Sequence, residues 1–110
     1  VMFIFSHGGG TLPYLASRLS LNIDRPVEPD SRLHYVRKFY YDTCASGNAA
    51  TLGALKKVVG VSQIVFGTDY PYGQDPEARF KEVADTGEFT AAELHAIGRE
   101  NARRILPQYA

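Results

Sequence analysis

The sequence predicts an α/β chain of about three βα units with parallel strands. Three observations carry that expectation. Short apolar or aromatic runs recur at Val1–Phe5, Phe39–Thr43 and Gln63–Phe66, and each is followed by a segment with helical spacing. The first and third runs are apolar on consecutive positions instead of alternating, the habit of strands covered on both faces by helices. Strand–helix alternation of this kind implies parallel pairing through right-handed crossovers.

Taken in order, Val1–Phe5 is expected as a buried strand delivering Ser6-His7 and the triple glycine Gly8-Gly9-Gly10, which permits tight backbone geometry. Thr11 then reads as a helix N-cap with Pro13 in the first turn, where a missing N–H costs nothing. Leu12, Leu15, Ala16 and Leu19 keep helical spacing as far as Leu21-Asn22. Asn22–Pro29 has no periodicity and reads as a loop at the rim of the sheet, followed by a short helix around Ser31–Arg37. The second strand, Phe39–Thr43, ends in Asp42-Thr43. Asn48 is expected to cap a helix through Val59, stopped by Gly60. Gln63–Phe66 forms the third strand, and the chain then breaks at Gly67 and presents Asp69 before Pro71. Asp75-Pro76-Glu77 opens another helix that runs to Thr86-Gly87. Thr90-Ala91-Ala92-Glu93 fits a capping box for a final helix, with Pro107 closing the chain.

The totals bound what such a chain can be. With 110 residues it holds one domain, and 45% hydrophobic against 22% charged residues suffices for a core. Lys plus Arg and Asp plus Glu are both 12, so no net field attracts nucleic acid or an anionic membrane. No apolar run approaches the roughly 18 residues that span a bilayer. The single Cys44 makes no internal disulfide, and with no secretory signal the chain reads as cytoplasmic. Three strands do not close a barrel, and a (β/α)₈ barrel needs roughly 250 residues. The expectation is therefore an incomplete domain over residues 1–110, three βα units of a larger barrel, and a chain that starts abruptly in a strand reads as a piece of a longer protein.

Asp69 and His7 both follow predicted strands, where α/β folds collect ligands and catalytic groups. Imidazole and carboxylate are good ligands for zinc and related divalent metals, and His7 can alternatively act as a general base. The competing reading has His7 bonded to a loop carbonyl and Asp69 capping the next turn. Asp42 reads as a loop cap ahead of a metal ligand. Arg18 can grip a substrate carboxylate, although an isolated helix arginine is more often simply solvated. His34 and His95 read as surface residues. Cys44 has no evident base beside it, which argues against a nucleophile.

Taken together, His7-Gly8-Gly9-Gly10 with Pro13 and Arg18, Tyr41-Asp42-Thr43, Phe66-Gly67-Thr68-Asp69-Tyr70-Pro71 and Asn101-Ala102-Arg103-Arg104-Ile105-Leu106 resemble the carboxyl-terminal part of the amidohydrolase-related family. The branch the chain most resembles is that of aminocarboxymuconate-semialdehyde decarboxylase. The resemblance implies a portion of a (β/α)₈ barrel with a divalent metal, zinc first and manganese second. It implies a decarboxylase or, alternatively, a hydrolase of an ester, lactone or amide, acting on a small carboxylated unsaturated or aromatic compound. Asp69 matches the metal-binding aspartate, and His7 a histidine that moves a proton beside the metal. Arg18 matches an arginine that reaches across a dimer interface towards the substrate, which implies a homo-oligomer. The family's His-x-His pair and a further histidine ligand have no counterpart in these 110 residues, so tight metal binding is not expected of the chain by itself, and a catalytically inert fragment that survives by oligomerising is a further alternative.

Overall fold

The computed structural model describes residues 1–19 and 33–109. Three strands form one sheet in the order β1 (Ile4–Phe5), β2 (Tyr40–Asp42), β3 (Ile64–Val65), parallel throughout. Phe5 lies opposite Tyr41, and Tyr41 opposite Ile64. The expected α/β class with parallel strands is therefore what the chain adopts.

The middle of the chain is built as its residues dictate. In α2 (Ala49–Val59) the Asn48 side chain accepts the Thr51 N–H, and the helix stops at Gly60, whose φ of 83° suits a residue without a Cβ. Leu52, Leu55 and Val59 turn inward and meet Tyr41, Ile64, Val83, Phe89 and Ile97 in one core. Asp75 caps α3 (Pro76–Asp85) by accepting from the Ala78 N–H. Thr90 and Glu93 close the expected capping box of α4 (Ala91–His95). The Lys56 ammonium, reaching from α2, donates to both Glu88 O and Glu93 Oε2 and ties that cap to the core.

Four expectations are corrected. The helix after Thr11 is regular only as α1 (Ala16–Leu19), although the Leu15 N–H already reaches Thr11 O; its expected end and the loop at 22–29 lie outside the described residues. The described part of the helix expected at 31–37 is reduced to turns, the last a 3₁₀ turn at Val36–Lys38, because the chain must straighten into β2 immediately afterwards. The final helix is not a single α-helix: a π turn at Ala96–Glu100 separates α4 from α5 (Asn101–Ile105). The widened turn lets Ile97 O accept the Phe66 N–H from the end of β3.

The fourth correction concerns burial. Val1–Phe5 is exposed, with Ile4 at 47% and Phe5 at 40%, whereas Ile64 and Val65 on the opposite edge stand at 0% and 5%. A consecutive apolar run records which residues favour burial, and coverage depends on what packs over them. The α4–α5 segment covers β3. On β1, Phe5 contacts Phe39 and Tyr41, with centroids 5.3 and 5.7 Å apart, and its remaining surface is open.

Candidate metal and catalytic site

Parallel pairing sends the carboxyl ends of all three strands to one edge of the sheet. Two residues beyond β1 the chain enters a 3₁₀ turn at His7–Gly9, with His7 at φ 55°. Beyond β3 it reaches Asp69, at φ 64°, followed by a cis Tyr70–Pro71 bond. Both conformations are unusual for residues with a Cβ. Together they bring His7 Nε2 to 3.6 Å from Asp69 Oδ1, with the side chains 50% and 40% exposed. The imidazole and carboxylate expected to share one mouth do so.

The competing reading of the pair is met only by the backbone. Asp69 O accepts the Tyr72 and Gly73 N–H groups and His7 O accepts the Gly10 N–H, so main-chain atoms close both turns. Among the described residues neither the Asp69 carboxylate nor the His7 imidazole has a hydrogen-bond partner. The two side chains face each other and solvent, available for a third party. With metal–ligand bonds of about 2.0–2.2 Å, two donors of one tetrahedral ion lie about 3.4 Å apart. The 3.6 Å separation fits that edge, and the donor types suit zinc or a harder divalent ion.

β2 furnishes the floor between them. Asp42 Oδ1 accepts the His7 N–H at 2.8 Å and the Cys44 N–H at 3.1 Å, and the Cys44 thiol donates to it at 2.8 Å. Asp42 thus caps its loop, as the sequence suggests. Cys44 is the residue that sequence reading passed over: its Sγ lies within 4.8 Å of the donor atoms of His7 and Asp69. Its chemistry is subdued. Burial first, and the hydrogen bond to Asp42 second, push the thiol up to about 11, which disfavours the thiolate, although the Asp42 carboxylate does lie beside Cys44 where the sequence showed no base. No sequence signal marks Cys44, since its neighbours in space are 25 and 37 residues away along the chain.

The remaining candidates are dispersed. Arg18 is exposed on α1 and makes no ion pair with Asp69. His34 and His95 are exposed, as expected. An apolar groove of about 730 Å³ between α3 and α4, floored by Phe66, Phe80 and Leu94, touches neither His7 nor Asp69.

With this geometry in view, comparison with known proteins is direct. The chain belongs to the amidohydrolase family, whose sequence profile matches residues 1–108. It is 35% identical to the 6-methylsalicylic acid decarboxylase acuB of Aspergillus aculeatus, over 96% of this chain and 35% of that protein. It superposes with a TM-score of 0.76 on the 2,6-dihydroxybenzoate decarboxylase of Rhizobium, at 25% identity, covering 99% of this chain and 35% of that one. A dihydroxybenzoic acid decarboxylase from Polaromonas, solved with manganese and the inhibitor 2-nitroresorcinol, gives 0.77 at 24% identity, covering 99% and 34%. The chain therefore spans about a third of the length of the relatives it matches, and its fold is a portion of their (β/α)₈ barrel.

Proposed function

We propose that this chain supplies part of the active site of a metal-dependent, non-oxidative decarboxylase acting on a small aromatic or unsaturated carboxylate. The observation that carries the reading is the approach of His7 Nε2 to 3.6 Å from Asp69 Oδ1 at the carboxyl edge of a parallel sheet. Support comes from the relatives, which are decarboxylases of 6-methylsalicylate and 2,6-dihydroxybenzoate. Residues 1–110 would then be one portion of a single barrel domain.

In this reading Asp69 would hold a divalent ion, zinc or manganese, with further donors from outside the described residues, and the His7 imidazole would stand beside that ion. When bound, the ion lends positive charge that stabilises an anion developing on the substrate. The chain's own groups do the rest. The Asp69 carboxylate would be one of the ion's ligands. The His7 imidazole, half exposed and free of other partners, delivers a proton to the ring carbon as the carbon–carboxylate bond breaks and carbon dioxide departs. Arg18, exposed on α1, is assigned to the substrate's carboxylate. A homo-oligomer and a cytoplasmic setting belong to the same proposal, the second supported by the lone unpaired Cys44. No helix among the described residues is long and apolar enough to cross a membrane.

The test is carbon dioxide release from a panel of hydroxybenzoates and methylsalicylates by the protein expressed from its own gene. His7→Ala and Asp69→Ala are each expected to lower kcat at least about a thousandfold, combining lost proton transfer or lost charge stabilisation. Turnover near the unmutated rate in either variant overturns the assignment.

A further inference from the structure

We infer that Asp42 is a positioning residue for this site: its carboxylate, on the central strand, sets the spacing between the turn that carries His7 and the loop that carries Asp69. The inference rests on the proposed function of His7 and Asp69 and adds a residue to it.

His7 holds an unusual backbone conformation. A φ of 55° is uncommon for a residue with a Cβ and persists only where surrounding contacts hold it. The His7 N–H donates to Asp42 Oδ1 at 2.8 Å, a charge-assisted hydrogen bond of the strong kind, and more weakly to Cys44 Sγ at 3.4 Å. That same oxygen also takes the Cys44 N–H and thiol. Three donors therefore converge on one carboxylate oxygen, which leaves Asp42 a single orientation.

The other flank of Asp42 faces the β3 loop. A Cβ built on Gly67 lies 3.0 Å from Asp42 Cβ and 3.3 Å from Oδ2, so the β3 loop passes against the carboxylate at a distance that glycine alone permits without displacement. Gly67 stands two residues before Asp69, and its N–H reaches Thr43 Oγ1 at 3.3 Å. Asp42 is thus wedged between the two loops, and the register of Asp42 with Val65 fixes it relative to β3. A side chain outside the His7–Asp69 pair thereby sets the distance between the two.

Replacing such a supporting group commonly lowers metal affinity or activity by 10–100-fold. The test uses Asp42→Ala and Asp42→Asn in the protein expressed from its own gene, with kcat, KM and the affinity of the metal-free protein for zinc and manganese measured by calorimetry. Asparagine keeps an oxygen acceptor for the two N–H groups and the thiol. The expected result is that Asp42→Ala loses about 10–100-fold in both metal affinity and kcat, with KM within threefold, and that Asp42→Asn recovers both to within about threefold. Gly67→Ala, which presses on Asp42 from the opposite side, is expected to lower metal affinity as well, and it decides the matter should Asp42→Ala fail to fold. Two results overturn the inference: unchanged metal affinity in Asp42→Ala, or in Gly67→Ala where Asp42→Ala does not fold; and an Asp42→Asn variant as impaired as the alanine, which would assign the effect to charge. Loss of activity in His7→Ala and Asp69→Ala, together with unchanged behaviour of the Asp42 and Gly67 variants, removes this inference alone. Full activity in the His7 and Asp69 variants removes the functional reading beneath it.

Discussion

β1 and β3 are the two edges of one sheet, each two residues long, and they are held in opposite ways. β3 is buried on both residues, with a helical layer bound to its backbone. Asn101 Nδ2 donates to Ile64 O at 2.7 Å and to Val61 O at 2.8 Å, Ile97 O takes the Phe66 N–H, and Arg104 donates to Asn101 Oδ1. β1 exposes both of its residues, and its end is fixed through the bond from the His7 N–H to Asp42. The lesson is that the two site residues inherit different kinds of rigidity. Within residues 1–110, Asp69 follows a strand held by core packing, whereas His7 is held by local hydrogen bonds.

Substitutions on the two edges break that comparison if their effects turn out alike. The largest effect on stability is expected from Ile64→Ala, about 4 kcal/mol in urea unfolding, because a fully buried side chain is removed from a packed core. Asn101→Ala follows at about 3 kcal/mol: Asn101 is 2% exposed, and its removal leaves two carbonyls without their donor.

The thiol of Cys44 sharpens the comparison from the other side, since it lies beneath the His7 turn. Raised from 9.0 to about 11, it should react with iodoacetamide at pH 8 about a hundredfold more slowly than a free cysteine. A rate close to that of the free amino acid would show the β1 end opening readily. The sign of the linked stability follows: the folded protein favours the neutral thiol, so that contribution is whole below about pH 9 and is lost as pH rises through about 11. Within residues 1–110 the smallest effect is expected from Ile4→Ala, under about 1 kcal/mol, because half of that side chain meets solvent there.

The sequence made some of this legible and concealed the rest for physical reasons. α2 was readable end to end because Asn48 and Gly60 act on the backbone within a few residues of themselves. The Thr90–Glu93 box was readable for the same reason. Asp69 and His7 were readable as strand-end residues, since parallel pairing sends every strand's carboxyl end to one edge. The π turn at Ala96–Glu100 was not, because Ile97 keeps a position compatible with an uninterrupted helix while its carbonyl goes to Phe66. Nor was the exposure of Val1–Phe5, since whether an apolar run is covered is decided by other elements. The convergence on Asp42 joins residues 35 apart and leaves no periodic trace.

Asp69 is expected to hold an ion beside a His7 left free to move a proton, and the most direct measurement is anomalous diffraction from crystals of the protein expressed from its own gene and loaded with manganese or zinc. The expected result is a single strong peak about 2.0–2.2 Å from an Asp69 carboxylate oxygen, beside the His7 imidazole but not bonded to it. A fully occupied metal peak elsewhere, with both side chains free of it, would contradict the account.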